Sequence, residues 1–353
     1  MNEKIIKISG AGIAGFTAAI ILSKKGYRVR VYERNDDVGR RHHGDFQGLM
    51  NWGFEEDMLD FMKRIGLEID FWKFPAKKVL VLGPNNCQTQ VGSAEPLFYL
   101  VHRGNKQNSF DVFLKELAIK SGVEIIFNQR CNNEDVDIIA TGPVFKKKPD
   151  GMALGYNFES DSEDIFIAIF DKEFAHLGYA YCFIINGQGT IATCGFSNFS
   201  EIDNQLEKTI NLLRGRFNLD IRNSQKFSGI ETFHLPSGNK KIIGEAGGFL
   251  DALFGFGIRY AMLSGQLAAQ SIINEEDFGE LWKKELDGLI KTSISNRFFY
   301  VCLGWYSYPY RYFIKRIGKS KNFRKMLTGI YKPNLISKLF YPFARLYFTR
   351  HLR

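Results

Sequence analysis

Three glycines stand at the spacing Gly10-x-Gly12-x-x-Gly15, between the strand-like run Lys4–Ile8 and the small, apolar stretch that follows. This pattern can cradle a pyrophosphate. Gly10 allows a tight turn, Gly12 lets the backbone approach the phosphates, and Gly15 lets a helix pack on a sheet. The helix opening at Ile13 and Ala14 offers unpaired N–H groups and the positive end of its dipole. The second strand, Tyr27–Arg34, ends in Glu33 and Arg34. A carboxylate there can accept hydrogen bonds from ribose hydroxyls, which favours an unphosphorylated ribose.

Two further segments carry the same kind of chemistry. Asp137-Ile-Ile-Ala-Thr141-Gly142 ends a strand in a small, Gly-stopped turn, which suits either close approach to a nucleotide or a plain strand end. Gly244-Glu245-Ala-Gly-Gly-Phe-Leu-Asp251 is followed by Gly255-Phe-Gly257-Ile258 and a helical stretch. Glu245 can bond a ribityl hydroxyl, and a helix N-terminus there can face a flavin pyrimidine ring. A second structural glycine turn is the plainer alternative.

The elements that must position these residues follow from periodicity. Apolar residues recur at helical spacing from Gly12 to the Gly26 stop, giving a βαβ unit of about 30 residues. Residues 35–53 read as loop, 54–67 as an amphipathic helix and 78–82 as a strand. A helix capped by Ser109 spans 109–121, and 123–127 and 136–142 are strands. After Pro143, residues 166–170, 178–185 and 189–196 read as antiparallel strands, with Asn186-Gly187 as a hairpin turn. A helix over 201–217, a strand over 229–235, a strand and turn over 240–248 and a helix over 259–273 follow. Residues 278–353 read as helical and peripheral.

Together the three glycine segments resemble FAD-dependent oxidoreductases of the aromatic-hydroxylase structural class, and within it the geranylgeranyl reductase family, across residues 4–275. The resemblance implies an α/β chain: a Rossmann-type FAD-binding domain of p-hydroxybenzoate-hydroxylase-like form (1–75, 100–143, 236–277), an inserted antiparallel β-sheet substrate domain (76–99, 144–235) and a basic helical C-terminal region (278–353). It also implies FAD as cofactor, with Arg41 and Arg103 near the flavin. For Arg103 a solvated loop charge is the other reading. Substrate contacts fall on Tyr179, Tyr181 and Phe183, where this chain lacks the Trp and Pro of the family strand. Tyr179, Tyr181 and His43 are the catalytic candidates; a core-facing strand stripe and a surface loop are the alternatives. The implied reaction is hydride transfer from reduced flavin to an isoprenoid carbon–carbon double bond, in a tunnel that Phe166, Phe170 and Phe183 would suit. A flavin monooxygenase and a non-catalytic lipid- or partner-binding flavoprotein are the alternatives. With no second Gly-x-Gly-x-x-Gly unit, the reductant is expected to be transiently docked NAD(P)H or an electron-carrier protein.

Composition narrows the remainder. Five scattered cysteines without a Cys-x-x-Cys pair, and six histidines without metal spacing, argue against a disulfide framework or a bound metal. The N-terminus lacks the apolar stretch of a secretion signal and no run of 18 apolar residues exists, so a cytoplasmic location is expected. Charge is segregated. Beyond Asp287 there are 14 Lys and Arg and no acid, which leaves 33 basic residues against all 38 acidic ones in residues 1–287. That segment also carries aromatics at Phe298–Tyr300, Trp305, Tyr306, Tyr308, Tyr310 and Tyr312. A peripheral membrane surface or a helical cap with a solvated basic face fits it; no nucleic-acid role is expected.

Overall fold

The computed structural model describes residues 4–144, 149–304, 317, 318, 320 and 322–351. The aromatics at 305–312 lie outside them. In chain order the elements are β1 (Ile6–Ser9), α1 (Ile13–Lys24), β2 (Val29–Tyr32), β3 (Phe46–Met50), α2 (Met58–Arg64), β4 (Phe74–Ala76), β5 (Lys78–Gly83), β6 (Cys87–Gly92), β7 (Phe98–His102), α3 (Phe110–Lys120), β8 (Glu124–Ile126) and β9 (Ile138–Ile139). Then come β10 (Gly151–Glu159), β11 (Ile165–Ile169), β12 (Tyr179–Ile185), β13 (Gln188–Gly195), α4 (Ile202–Phe217), β14 (Arg222–Glu231), a 3-10 turn (Gly244–Gly247) and α5 (Ile258–Ile273). Four helices finish the chain: α6 (Phe278–Glu285), α7 (Asp287–Gly304), α8 (Phe323–Tyr331) and α9 (Leu335–His351).

A four-stranded parallel sheet in the order β8-β2-β1-β9 is extended at its β9 edge by a bridge from Ile139 to Ile242. Helix α1 is buried along most of its length, from Ile13 to Ile20 and at Leu22, because the sheet, α3 and α5 enclose it on several sides. Its sequence is accordingly apolar nearly all round. A seven-stranded sheet, β14-β10-β13-β12-β11-β5-β6, gathers two separate stretches, 78–92 and 151–231. Strand pleat sorts β12 by parity. Ala180, Cys182 and Ile184 are buried in the small core shared with Leu213 of α4, while Tyr179, Tyr181 and Phe183 turn the other way. A three-stranded sheet, β3-β7-β4, lies between these two bodies. The rings of Phe98 on β7 and Phe183 on β12 meet at 5.7 Å, and those of Phe74 on β4 and Phe166 on β11 at 5.4 Å.

Several expectations change. The loop expected over 35–53 contains β3, and the helix expected from residue 54 begins only at Met58, where the Asp57 side chain accepts from the Leu59 N–H. Strands β4, β6, β7 and β10 were not anticipated, and β14 starts at Arg222 rather than 229. The C-terminal helices are not peripheral. Ile290 and Ile294 of α7, Leu327 and Tyr331 of α8 and Ala344 of α9 belong to the main core. The hairpin at Asn186-Gly187 stands as expected, with φ of 49° and 78° closing β12 onto β13.

Candidate functional site

One cleft of about 470 Å³ runs from the N-terminus of α1 to that of α5, a size ordinary for a small-molecule or cofactor site. At its first end the three glycines play distinct parts. Gly10 has φ of 106°, and a Cβ there would lie 2.2 Å from the Ala140 carbonyl oxygen; a Cβ at Gly15 would lie 2.0 Å from the Gly10 carbonyl oxygen. The protein's own packing therefore requires both. Gly12 is extended (φ −88°, ψ −177°), and a Cβ there would meet nothing within 4 Å. Its missing side chain leaves open space in the cleft. Gly15 does not line the cleft; Gly10, Gly12, Ile13, Ala14, Thr141 and Gly142 do.

The helix ends show the same economy. Asp57, Ser109, Asp277 and Asn322 cap α2, α3, α6 and α8 with side-chain hydrogen bonds. α1 and α5 begin at Gly12 and Gly257 with no side-chain cap and no acid in the first turn. Their orphan N–H groups and dipoles open onto the one cleft, a disposition suited to anionic or electron-rich groups at both ends. Glu33 fastens the first end. Its Oε2 accepts from the Ala11 N–H at 3.0 Å, and its Oε1 accepts from both the Asn35 N–H at 2.9 Å and Asn35 Nδ2 at 2.7 Å, so Oε2 keeps a lone pair for a ribose. Arg34 and Arg41 stand exposed at the rim, with Arg41 Nη1 3.4 Å from Glu245 Oε2.

Arg103 is not a solvated loop charge. It is buried and donates to both oxygens of Asp111, at 2.8 and 2.9 Å, and to Gln47 Oε1 at 2.7 Å. That uses three of its five N–H groups. Burial would raise the Asp111 carboxyl, but the Arg103 charge holds it below the usual carboxylate range. Arg103, Asp111 and Gln47 all line the cleft.

At the second end Gly244 (φ 62°) lets the 3-10 turn pack on α1, where a Cβ would come 2.9 Å from that of Ala14. Glu245 follows, its Oε1 sealed from solvent and without a hydrogen-bond partner among the described residues. Burial raises its carboxyl, against the pull of Arg41. Gly255, Gly257 and Ile258 complete this wall. Asp251 organises it. Its carboxylate accepts from the Leu253 and Phe254 N–H groups, both at 3.0 Å, and from Tyr331 Oη at 2.9 Å, so α8 is tied to the turn that carries Gly255 and Gly257.

Of the expected substrate residues, the cleft takes in Tyr179 alone. Its Oη donates to the Phe254 carbonyl at 2.8 Å, and burial pushes the phenol well above its usual range, so it stays neutral. Tyr181 and Phe183 lie beyond the cleft in the aromatic row between the sheets, their rings stacked at 4.9 Å, with Phe183 5.7 Å from Phe166. All of these rings are half-buried. His43 is exposed and off the cleft; its neighbour His42 lines it, Nδ1 3.3 Å from Asp45, and burial next to Arg103 lowers this imidazole.

Gln47, Asp111 and Glu231 line the cleft without having been singled out from the sequence. Glu231, the last residue of β14, lines the cleft and presses its carboxyl against Gly255, where a Cβ would meet Glu231 Oε1 at 2.3 Å. Its Oε2 is sealed from solvent and has no partner among the described residues. Burial, reinforced by the negative charge of Glu245, pushes its carboxyl up to about 8. At neutral pH it is an acid that presents an O–H. Among the described residues, no group of three or more metal-ligating side chains forms, and no helix is long and apolar enough to cross a membrane.

Residues 8–54 match the NAD(P)-binding Rossmann-like domain. Kynurenine 3-monooxygenase of Stenotrophomonas maltophilia is 25% identical over 143 residues, 38% of this chain and 30% of that protein. The enzyme of Xanthomonas axonopodis is 25% identical over 145 residues, 39% and 30%. The chain thus spans under a third of the length of these curated relatives. Among solved structures, a geranylgeranyl bacteriochlorophyll reductase-like protein of Thermoplasma acidophilum superposes with a TM-score of 0.70 at 15% identity, over 96% of this chain and 100% of that one. The flavin-dependent brominase Bmp2 gives 0.63 at 17% identity, over 99% and 100%. A flavoprotein/dehydrogenase of Cytophaga hutchinsonii gives 0.62 at 16% identity, over 97% and 99%.

Proposed function

We propose that the chain is an FAD-dependent oxidoreductase that reduces carbon–carbon double bonds of an isoprenoid or other apolar substrate. The observation that carries the cofactor is the pair of uncapped helix N-termini, at Gly12 and Gly257, opening onto a single cleft with Gly12 free of any packing demand. Ile13 and Ala14 would hold the pyrophosphate, Glu33 the adenosine ribose, Glu245 the ribityl chain, and the α5 N-terminus the pyrimidine edge. When bound, FAD supplies a hydride. The row of half-buried rings at Phe166, Tyr179, Tyr181 and Phe183 favours an apolar substrate. Adding two hydrogens across a double bond also needs a proton, and Glu231, whose Oε2 has no hydrogen-bond partner among the described residues, is the acid placed to give it. Reducing equivalents arrive from transiently docked NAD(P)H or an electron-carrier protein.

The test is purification, an absorption spectrum and mass spectrometry of what co-purifies. Bound FAD, together with a polyprenyl substrate that gains two hydrogens per double bond under anaerobic reduction, is the expected result. A folded, colourless protein that cannot be reconstituted with FAD would overturn the reading. The kynurenine 3-monooxygenase match favours a second reading, a flavin monooxygenase on the same frame. It predicts oxygen consumption coupled to a hydroxylated product and no saturated one.

A further inference from the structure

Seven large hydrophobic side chains are exposed among the described residues, and five of them lie on α9: Leu335 (84% exposed), Ile336 (62%), Leu339 (69%), Phe343 (60%) and Leu346 (47%). At about 100° per residue, all five fall within an arc about 100° wide. The opposite side of the helix is anchored. Ser337 and Ala344 are buried, the Ser337 carbonyl accepts from Ser295 Oγ of α7 at 2.9 Å, and Phe340 packs on Phe299 at 5.0 Å. The apolar arc is therefore a fixed outward face and not a loosely attached strand of chain. Lys338 and Arg345 are exposed, on one flank of the arc roughly 60–80° from Leu335.

We propose that this face of α9 lies in the surface of an anionic membrane, with Leu335, Ile336, Leu339, Phe343 and Leu346 in the acyl boundary and Lys338 and Arg345 on lipid phosphates. The charge pattern selects this occupant. The chain beyond Asp287 holds 14 Lys and Arg and no acid, complementary to anionic headgroups. A two-fold contact between copies through the same face would set two such segments against each other. No described helix is long and apolar enough to span a bilayer, so α9 would lie in the surface rather than cross it. The helix also adjoins the cleft. Phe348 of α9 meets Phe233 at 6.5 Å, Phe233 stacks on Phe196 at 5.8 Å, and Phe196 lines the cleft wall. An apolar substrate could thus be taken from the layer in which the helix rests.

The experiment is co-sedimentation of the full chain with phosphatidylcholine vesicles and with vesicles containing phosphatidylglycerol. Binding to the anionic vesicles that weakens at raised salt is expected. Leu339→Glu/Phe343→Glu should cut it by about tenfold or more with circular dichroism unchanged. Leu335→Ser/Ile336→Ser, in the first turn, should weaken it too and serves if the first variant does not fold. Three results would overturn the proposal: no binding to either vesicle, binding unchanged in both variants, or a wild-type dimer that these variants convert to monomer. The last would assign the face to a second copy.

Discussion

Gly12 and Gly15 are the same residue type three positions apart, yet the fold asks different things of them. Gly15 touches the Gly10 carbonyl, and a methyl there collides with backbone that cannot yield. Gly12 has an ordinary extended conformation and open space around it. Gly15→Ala should therefore lower stability in urea by roughly 2–4 kcal/mol. Gly12→Val should unfold near the midpoint of the FAD-free wild type while losing FAD affinity by about a hundredfold, close to 2.7 kcal/mol. Equal destabilisation by both would remove the distinction. Glu231 makes a second residue-scale case. Its carboxyl is raised from 4.5 to about 8 in the folded protein, so across that window the native state holds a proton that the unfolded chain has released. The stabilisation is full below about pH 4.5 and is lost as pH rises towards 8. Glu231→Gln should flatten this decline in a pH series of thermal melts. It should also keep bound FAD while saturated product falls by about a hundredfold. A variant with unchanged product formation would exclude it as the proton source.

At the scale of elements, local signals carried the reading where the cause was local. The βαβ unit was legible because apolar periodicity, a glycine turn and a closing acid sit within one short stretch. Ser109 was legible as a cap because a cap needs only its own helix, and its Oγ does accept from the Val112 N–H at 3.2 Å. β3, β4 and β7 were missed for the converse reason. FYLVH is buried on both faces, FPA contains a proline, and FQGLM pairs with a strand some fifty residues away. None of them alternates cleanly, since the three-stranded sheet lies between two bodies. Glu231 was invisible for a related reason. Within GIETFHL it reads as a surface acid of an amphipathic strand, and only the approach of Gly255 and Glu245 from another element makes it a neutral acid. The C-terminal helices misled likewise, because basic composition says nothing of the apolar sides of α7 and α8. Tyr331 shows the consequence. It is fully buried, and its hydroxyl holds Asp251, which burial raises to about 6. Tyr331→Phe should cost roughly 1.5–3 kcal/mol in urea denaturation, as expected for a hydrogen bond to a buried carboxylate. It should also weaken FAD binding, because Asp251 holds the turn that presents the α5 N-terminus. Unchanged stability and flavin affinity would show that α8 only covers the turn.

At the scale of the whole molecule, the cleft is a seam. α1 and the 244–247 turn form one side with the parallel sheet. Met152 of β10, Tyr179 of β12, Cys194 of β13 and Glu231 of β14 bring the seven-stranded sheet to the other. A dinucleotide seated there touches both bodies, so binding counts fully towards the stability of the folded chain. With ligand at a hundred times its dissociation constant, native protein gains about 2.7 kcal/mol. At about 2.1 cal/mol/K of unfolding entropy per residue, a chain of 353 residues then melts about 4 °C higher. Differential scanning calorimetry of protein stripped of flavin and then titrated with FAD measures this directly. Because both bodies share the ligand, the shift should appear as upward movement of a single transition. Gly12→Val, with its hundredfold weaker affinity, should rise by only about 0.5 °C at the same FAD concentration, although its own unligated midpoint is unaltered. A wild-type midpoint that stays put under saturating FAD would mean that the seam is no flavin site. A shift confined to one of two separate transitions would mean that the flavin rests on the Rossmann body alone, leaving Glu231 and Tyr179 without a cofactor to face.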